Sequence, residues 1–222
     1  TDPRIEIRHQ SNMGEAETCN RAVASVDAEF VAFLHQDDIA MPDRLQKQMD
    51  FLASHPDYAC VMSTLARRVG AKSLEYREES GSRVVRDYES GVFGAITPSA
   101  FCFRRNAWME VGGMRPSVGP GGDLDLLLRW EEKARLAVFE EPLIQWRVHA
   151  SASTMRGFFS YLVKSRYLYS MASRRRAGEQ EITFEEFQEI ENQASALVKL
   201  LRKMDARGRF KLRMAAIMFG ER

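Results

Sequence analysis

Phe30 to Leu34 (FVAFL) is an uninterrupted apolar run that leads straight into Gln36-Asp37-Asp38, and no other stretch restricts the fold as much. A short continuous apolar run is the pattern of a strand covered on both faces, which calls for helices above and below a sheet. The flanking sequence supplies them. Ala16, Cys19, Ala22, Val23 and Val26 recur at helical spacing before the run. After it, Pro42 stands where a first helical turn accepts proline, and Leu45, Met49 and Leu52 predict one apolar stripe on a helix that stops at His55-Pro56. Arg4 to Arg8 (RIEIR) alternates as a strand does, and Tyr58 to Leu65 reads as the next strand. Strand, helix, strand, helix, strand is the signature of an α/β domain with a parallel sheet.

Further on, Glu75 to Gly94 is polar and reads as a loop excursion with a short strand near Arg83 to Arg86. Ser99 to Phe103 returns to strand character, and Asn106 to Val111 is a short helix closed by Gly112-Gly113. Met114 to Gly122 is a glycine- and proline-rich loop able to move. Asp123 to Ala134 is a helix with Leu126, Leu127 and Trp130 on one side, and Leu136 to Phe139 and Ile144 to Val148 are strands.

Past Ser153 the pattern is helical. Thr183 to Glu186 (TFEE) forms a capping box, and Phe187, Ile190, Ala194, Leu197, Leu201 and Met204 keep helical period behind it. Charge divides at the same place: residues 1–155 carry 18 Lys+Arg against 23 Asp+Glu, and residues 156–222 carry 14 against 8. The expected organisation is a core over 1–155 and a basic helical extension over 156–222.

Several classes fall away. No apolar run approaches the ~18 residues that would span a bilayer, and TDPRIEIRHQ is not built like a signal peptide. Cys19, Cys60 and Cys102 form neither an even set nor a CxxC, which points to reduced thiols and a cytoplasmic setting. The basic tail lacks the interleaved stacking aromatics of a nucleic-acid binder.

Three places carry chemistry. Asp37 and Asp38 follow the most buried strand, at the carboxyl edge where open α/β sheets bind ligands. Adjacent carboxylates suit a divalent cation, and the plain alternative is a solvated turn. Asp123 opens a helix behind a glycine loop, as a base or as an N-cap. His149, in WRVHASAST, is a base, a metal ligand or a core histidine. Asp125, two positions beyond Asp123, points elsewhere around the helix. Arg207 to Phe219 is basic and apolar at once, as in a helix lying on an anionic membrane or packed with a solvated basic face, and Arg174-Arg175-Arg176 reads as a solvated helix end.

In order and spacing these features resemble the family 2 glycosyltransferases of GT-A fold. That family runs N-x-G and A-x-x-x-N on a helix, a strand ending D-x-D-D, then P-x-x-L, R-R, G-G, E-D-x-x-L-x-x-R, and Y-R-x-H followed by serines. Here stand Asn12, Gly14, Ala16 and Asn20; Gln36-Asp37-Asp38 with Pro42 and Leu45; Arg104-Arg105; Gly112-Gly113; Asp123-Leu124-Asp125-Leu126 with Arg129; and Trp146-Arg147-Val148-His149 with Ser151 and Ser153. The resemblance covers about residues 4–155. It departs at His35, where the family usually has Asp, at Cys19, often basic in the family, and at Gly122, usually acidic. The chain opens at Thr1-Asp2, as if cut inside the D-D-G-S-T-D motif of the nucleobase pocket.

The resemblance implies a GT-A (Rossmann-like) mixed, mainly parallel sheet flanked by helices. It implies an inverting, non-processive transferase that takes a sugar from a nucleotide-diphosphate sugar, a UDP-sugar first, to a hydroxyl of a saccharide or lipid-linked acceptor in cell-surface polysaccharide synthesis. Asp38 and His149 would hold Mg²⁺ or Mn²⁺, Asn12, Gly14, Asn20 and Asp37 would contact the donor, and Asp123 would be the general base. Peripheral contact with the inner membrane face would fall to 207–219. A non-catalytic GT-A-like binding domain and a nucleotidyltransferase are the competing readings.

Overall fold

The structure is a computed structural model that describes residues 2–69, 72–73, 85–88, 97–148 and 157–220. Helix α1 (Glu15–Ala24) leads to β1 (Phe30–Ala32), β2 (Ile39–Ala40), α2 (Arg44–Ser54) and β3 (Tyr58–Val69). The short strands β4 (Lys72–Ser73) and β5 (Val85–Asp87) precede a 3-10 turn (Pro98–Ala100), β6 (Cys102–Arg104) and α3 (Arg105–Glu110). A second 3-10 turn (Pro116–Val118), α4 (Gly122–Glu131) and the long β7 (Arg135–Val148) follow, and then α5 (Phe158–Arg176), α6 (Phe184–Asn192) and α7 (Ala196–Gly220).

The strands form one sheet in the order β1-β6-β3-β7-β2, with β4 beside β3 and β5 beside β7. The mixed α/β sheet is the expected one, but its pairings are mainly antiparallel. Only β3 and β7 pair in parallel among the described residues, from Tyr58↔Arg135 to Val69↔Val148; β1–β6, β3–β6, β2–β7, β3–β4 and β5–β7 are antiparallel. A parallel neighbour needs a crossover that carries the chain back to its starting edge. The path from β3 to β7 has one through α3 and α4. β6 instead slips between β1 and β3 and runs against both, so β1, β3 and β7 still point the same way.

Three sequence expectations change here. Arg4 to Arg8 is not a strand: it has no ladder partner among the described residues, and Ile5 and Ile7 are exposed. Alternation alone does not make a strand without a neighbour to bond. Helix α2 buries Arg44, Gln48 and Leu52, while Leu45 and Met49 are half exposed. Arg44 donates to Gln48 Oε1 (2.9 Å) and to the Phe101 carbonyl (3.0 Å), and Gln48 donates to the carbonyls of Ala100 (2.8 Å) and Val61 (3.2 Å). Arg44 and Gln48 thus donate to carbonyls of β3 and of the segment entering β6, and buried side-chain donors need such partners, so the polar side of α2 turns inward. The helical period running through Ala194 is broken as well: α6 ends at Asn192, α7 starts at Ala196, and Ile190, Leu197, Leu201 and Met204 are exposed.

Other expectations stand. Gly112 and Gly113 close α3, both with positive φ. The TFEE box is formed, with Thr183 Oγ1 accepting the Glu186 N–H (3.1 Å) and Glu186 Oε2 accepting the Thr183 N–H (2.7 Å). The core on one sheet face is aromatic. Phe103 stacks on Trp108 at 5.1 Å, with Trp130 and Phe33 edge-on or tilted around them. Cys60 packs in that core and Cys102 in a second buried cluster, and both thiols are free.

Arg174-Arg175-Arg176 is not a solvated end. Arg175 bonds Glu132 (2.7 Å) and Glu181 (2.7 Å), Arg176 bonds Glu131 (2.8 Å), and Arg174 Nε donates to the Gln180 carbonyl (2.6 Å). Leu168 and Ala172 of α5 pack with Val118, Leu124 and Leu128. The first helix beyond residue 155 is therefore seated on α4 by apolar contact and ion pairs together.

Candidate active site

The loop from β1 to β2 carries His35, Asp37 and Asp38. Its course is set by one serine. Ser99, fully buried in the first 3-10 turn, accepts the His35 N–H (3.0 Å) and donates its hydroxyl to Asp38 Oδ2 (2.5 Å). Asp38 Oδ1 accepts the Arg147 N–H from β7 at a long 3.3 Å. Asp38 is buried and Asp37 is exposed, and ligating atoms of His35, Asp37 and Asp38 all lie within 4.8 Å of one another. Two carboxylates with spare lone pairs fit a hard divalent ion. His35 fits less freely, because its Nε2 already faces Glu15 Oε1 at 3.5 Å.

Glu15 is in the first turn of α1, which starts at Gly14 with φ 82°. Asn12 Oδ1 accepts the Gly14 N–H (3.1 Å) and shapes that entry. The Glu15 contact raises the His35 pKa above the usual histidine value, against the effect of burial, and Asp38 and Asp37 add to the rise. The same contact lowers the Glu15 pKa.

Asp123 lies in the first turn of α4, and the N-cap is Gly121 (φ 96°), so the capping reading does not apply to it. Its Oδ1 accepts the Leu124 N–H at 2.9 Å. Burial pushes the Asp123 carboxyl up to about 6; the Glu15 charge adds to this, and the Leu124 N–H and His35 oppose it. Asp123 is thus within electrostatic reach of Glu15 and His35, and through His35 of the Asp37-Asp38 pair. Glu15 of α1, His35 of the β1–β2 loop and Asp123 of α4 therefore feel one another's charge. A carboxyl that titrates near neutrality can hold or release a proton there.

Asn20 and Asp125 do other work. Asn20 is bonded on both sides of its amide to Met114, donating to the carbonyl (2.8 Å) and accepting the N–H (2.9 Å). It pins α1 to the loop ahead of Asp123. Asp125 is buried and holds Arg115 and Arg129, and Arg129 donates to the carbonyls of Val111 (2.6 Å) and Gly113 (2.6 Å). That network fixes the loop expected to move: Met114 and Val118 in it are buried. His149 falls outside the described residues.

Sequence reasoning passed over Glu15 and Ser99. Glu15 had only its place in a helical first turn as a signal. Ser99 had none, since nothing local marks a serine 61 residues from the carboxylate it holds. Burial, with the Glu15 charge adding to it, pushes the Cys19 thiol up to about 11, which disfavours the reactive thiolate.

Residues 1–112 match the model of glycosyl transferase family 2. An uncharacterized glycosyltransferase of Haemophilus influenzae is 22% identical over 162 residues, 69% of this chain and 53% of its own length. EpsE of Bacillus subtilis, named as a glycosyltransferase, is 28% identical over 180 residues, 76% of this chain and 61% of its own. The chain thus spans little more than half of the curated relatives it matches. Among solved structures, S. aureus TarS 1-349 in complex with UDP superposes with a TM-score of 0.52 and 12% identity, over 72% of this chain and 45% of that one. At that identity the likeness concerns the fold, which is GT-A. A family model matching half of the chain means that this chain belongs to glycosyl transferase family 2.

Proposed function

We propose that the chain carries the catalytic residues of an inverting, non-processive glycosyltransferase that takes a sugar from a nucleoside-diphosphate sugar, a UDP-sugar first, to a hydroxyl of a saccharide or lipid-linked acceptor in cell-surface polysaccharide synthesis. The observations that carry the reading are that Asp123 feels the charges of Glu15 and His35, and that ligating atoms of His35, Asp37 and Asp38 lie within 4.8 Å of one another. Asp38 and Asp37 would hold Mg²⁺ or Mn²⁺, which when bound offsets the charge of a departing diphosphate. Ser99 and the Arg147 N–H orient Asp38 for that purpose. Arg147 is two residues before His149 in the sequence, in keeping with His149 as a further ligand. Asp123, with its carboxyl near 6, takes the proton of the acceptor hydroxyl. Attack opposite the leaving diphosphate inverts the anomeric carbon. Asn12 and Gly14 shape the entry to α1 beside the site, and Asn20 acts as a positioning residue. The basic terminal helix meets the inner face of a membrane.

One observation favours the non-catalytic alternative. His35 stands where the family usually has Asp, and its contact with Glu15 favours the protonated ring beside the carboxylates. Calorimetry of UDP-sugars with and without Mn²⁺, joined to single-turnover transfer, separates the two. Metal-dependent donor binding with transfer supports the enzyme, and donor binding without transfer to any hydroxyl acceptor supports the binding domain.

A further inference from the structure

Helices α5 and α7 do not close on each other along their whole contact. Phe210 of α7 packs on Phe158 (5.6 Å) and Phe159 (5.1 Å). Next to this clamp the helices leave a groove of about 270 Å³. It is lined by the apolar Phe159, Leu162, Val163 and Ala206 and by the cationic Arg166, Arg202, Lys203 and Arg207. Glu191 of α6 answers two of the four, pairing with Arg166 (3.0 Å) and Arg202 (2.8 Å). Among the described residues Lys203 and Arg207 have no acidic partner. Four cations against one carboxylate around an apolar slot is an arrangement the fold itself does not consume.

Such a slot suits a ligand with an anionic head and an apolar body. Guanidinium and ammonium groups bond phosphate oxygens, and the apolar lining takes alkyl carbon out of water. The outer side of the same helix supports this. Leu197, Leu201 and Met204 follow one another at steps of four and three residues and are more than half exposed. Exposed apolar side chains on a basic helix match an anionic bilayer surface. They do not match a second copy of this face, because the excess cations would be brought against each other. No helix among the described residues is long and apolar enough to cross a membrane, so contact would be at the surface.

We propose that the groove between α5 and α7 binds the phosphate head group of an anionic phospholipid and seats the C-terminal helices on a bilayer. This deepens the membrane part of the proposed function and is tested without donor or transfer, so lipid binding and catalysis can fail separately. The test is calorimetry of the whole chain with short-chain phosphatidic acid below its micelle concentration, against phosphatidylcholine of the same tails, inorganic phosphate and farnesyl phosphate. Saturable binding of phosphatidic acid, about tenfold or more tighter than phosphatidylcholine or phosphate, is expected. Ala206→Trp, which fills the slot without removing charge, and Lys203→Glu/Arg207→Glu should each reduce that binding about tenfold or more, with helix content by circular dichroism kept. Three results would overturn the proposal: equal binding of both phospholipids, phosphate binding as tightly as phosphatidic acid, or a well-folded Ala206→Trp that binds like the parent. Binding of farnesyl phosphate with phosphatidic acid silent would overturn the bilayer source in favour of a lipid-linked acceptor.

Discussion

Ser99 Oγ donates to Asp38 Oδ2 at 2.5 Å while accepting the His35 N–H at 3.0 Å, so one buried hydroxyl fixes both ends of the acidic loop. Ser99→Ala removes both bonds from a fully buried position. The unpaired N–H and the freed carboxylate should cost about 1–3 kcal/mol of stability, read by urea unfolding. Mn²⁺ affinity should fall about tenfold, because Asp38 is no longer held in place. Unchanged Mn²⁺ affinity in a destabilised variant would leave Ser99 a purely structural residue.

The two carboxylates should fail differently. Asp38→Asn should weaken metal-dependent donor binding, since it removes a charge from the ion site. Asp123→Asn should leave donor binding nearly intact and lower single-turnover transfer by roughly 10²–10⁴-fold, the scale for loss of a general base. Two variants that bind and transfer like the parent would make both carboxylates structural.

Asp123 also sets a pH dependence. Its folded pKa of about 6 lies above the ordinary 3.8, so the folded state holds this proton more tightly than the unfolded one. Stability contributed by the protonated form is therefore lost as pH rises from about 4 through 6. Asp123→Asn, which carries no charge, should be more stable than the parent at pH 7.5 by about 1–3 kcal/mol, with no gain at pH 4. Transfer by the parent should decline below about pH 6 as the base becomes protonated. Thermal unfolding of both proteins at the two pH values checks the sign, and a destabilised Asp123→Asn at pH 7.5 contradicts it.

Gly112 and Gly113 should respond unequally to alanine. Both have positive φ (+73° and +66°), which costs an L-residue about 1–2 kcal/mol. A Cβ on Gly112 meets open space, whereas one on Gly113 would lie 2.3 Å from Asn20 Oδ1 and 2.6 Å from Trp108 Nε1. Gly113→Ala must break the Asn20–Met114 bridge or displace Trp108, and should cost clearly more in a thermal melt. Equal losses would mean that the bridge is not rigid.

Helix α2 offers a contrast within one element. Gln48→Leu strips hydrogen bonds from Arg44 and from the carbonyls of Val61 and Ala100, and should destabilise by about 2–4 kcal/mol although it adds an apolar side chain. Met49→Gln, next to it on the exposed side, should stay within about 0.5 kcal/mol of the parent. Denaturant unfolding that ranked them the other way would restore the apolar stripe as the buried face.

The sequence by itself determined the elements whose cause is local. The Gly112-Gly113 helix end and the Thr183 capping box depend on neighbours within a few positions and stand where the spacing puts them. The apolar run at Phe30, expected as the strand covered on both faces, is instead a short, partly buried strand (Phe30–Ala32) at the end of the strand order, with Leu34 exposed, because β6 and not β1 took the inner place beside β3. The ordered motifs nominated Asp38 and Asp123 as candidate carboxylates, which fold class alone could not do. Tertiary structure decided what depends on distant partners. Strand direction rested on where β6 enters the sheet, the inward face of α2 on carbonyls 52 and 57 residues away, and the fate of RIEIR on a neighbour to pair with. The same holds in the candidate site, where Glu15 gained its meaning from His35 and Ser99 from Asp38. Hydrogen bonds and ion pairs in a low-dielectric interior act over a few ångströms whatever the sequence separation, and periodicity along the chain carries no trace of them.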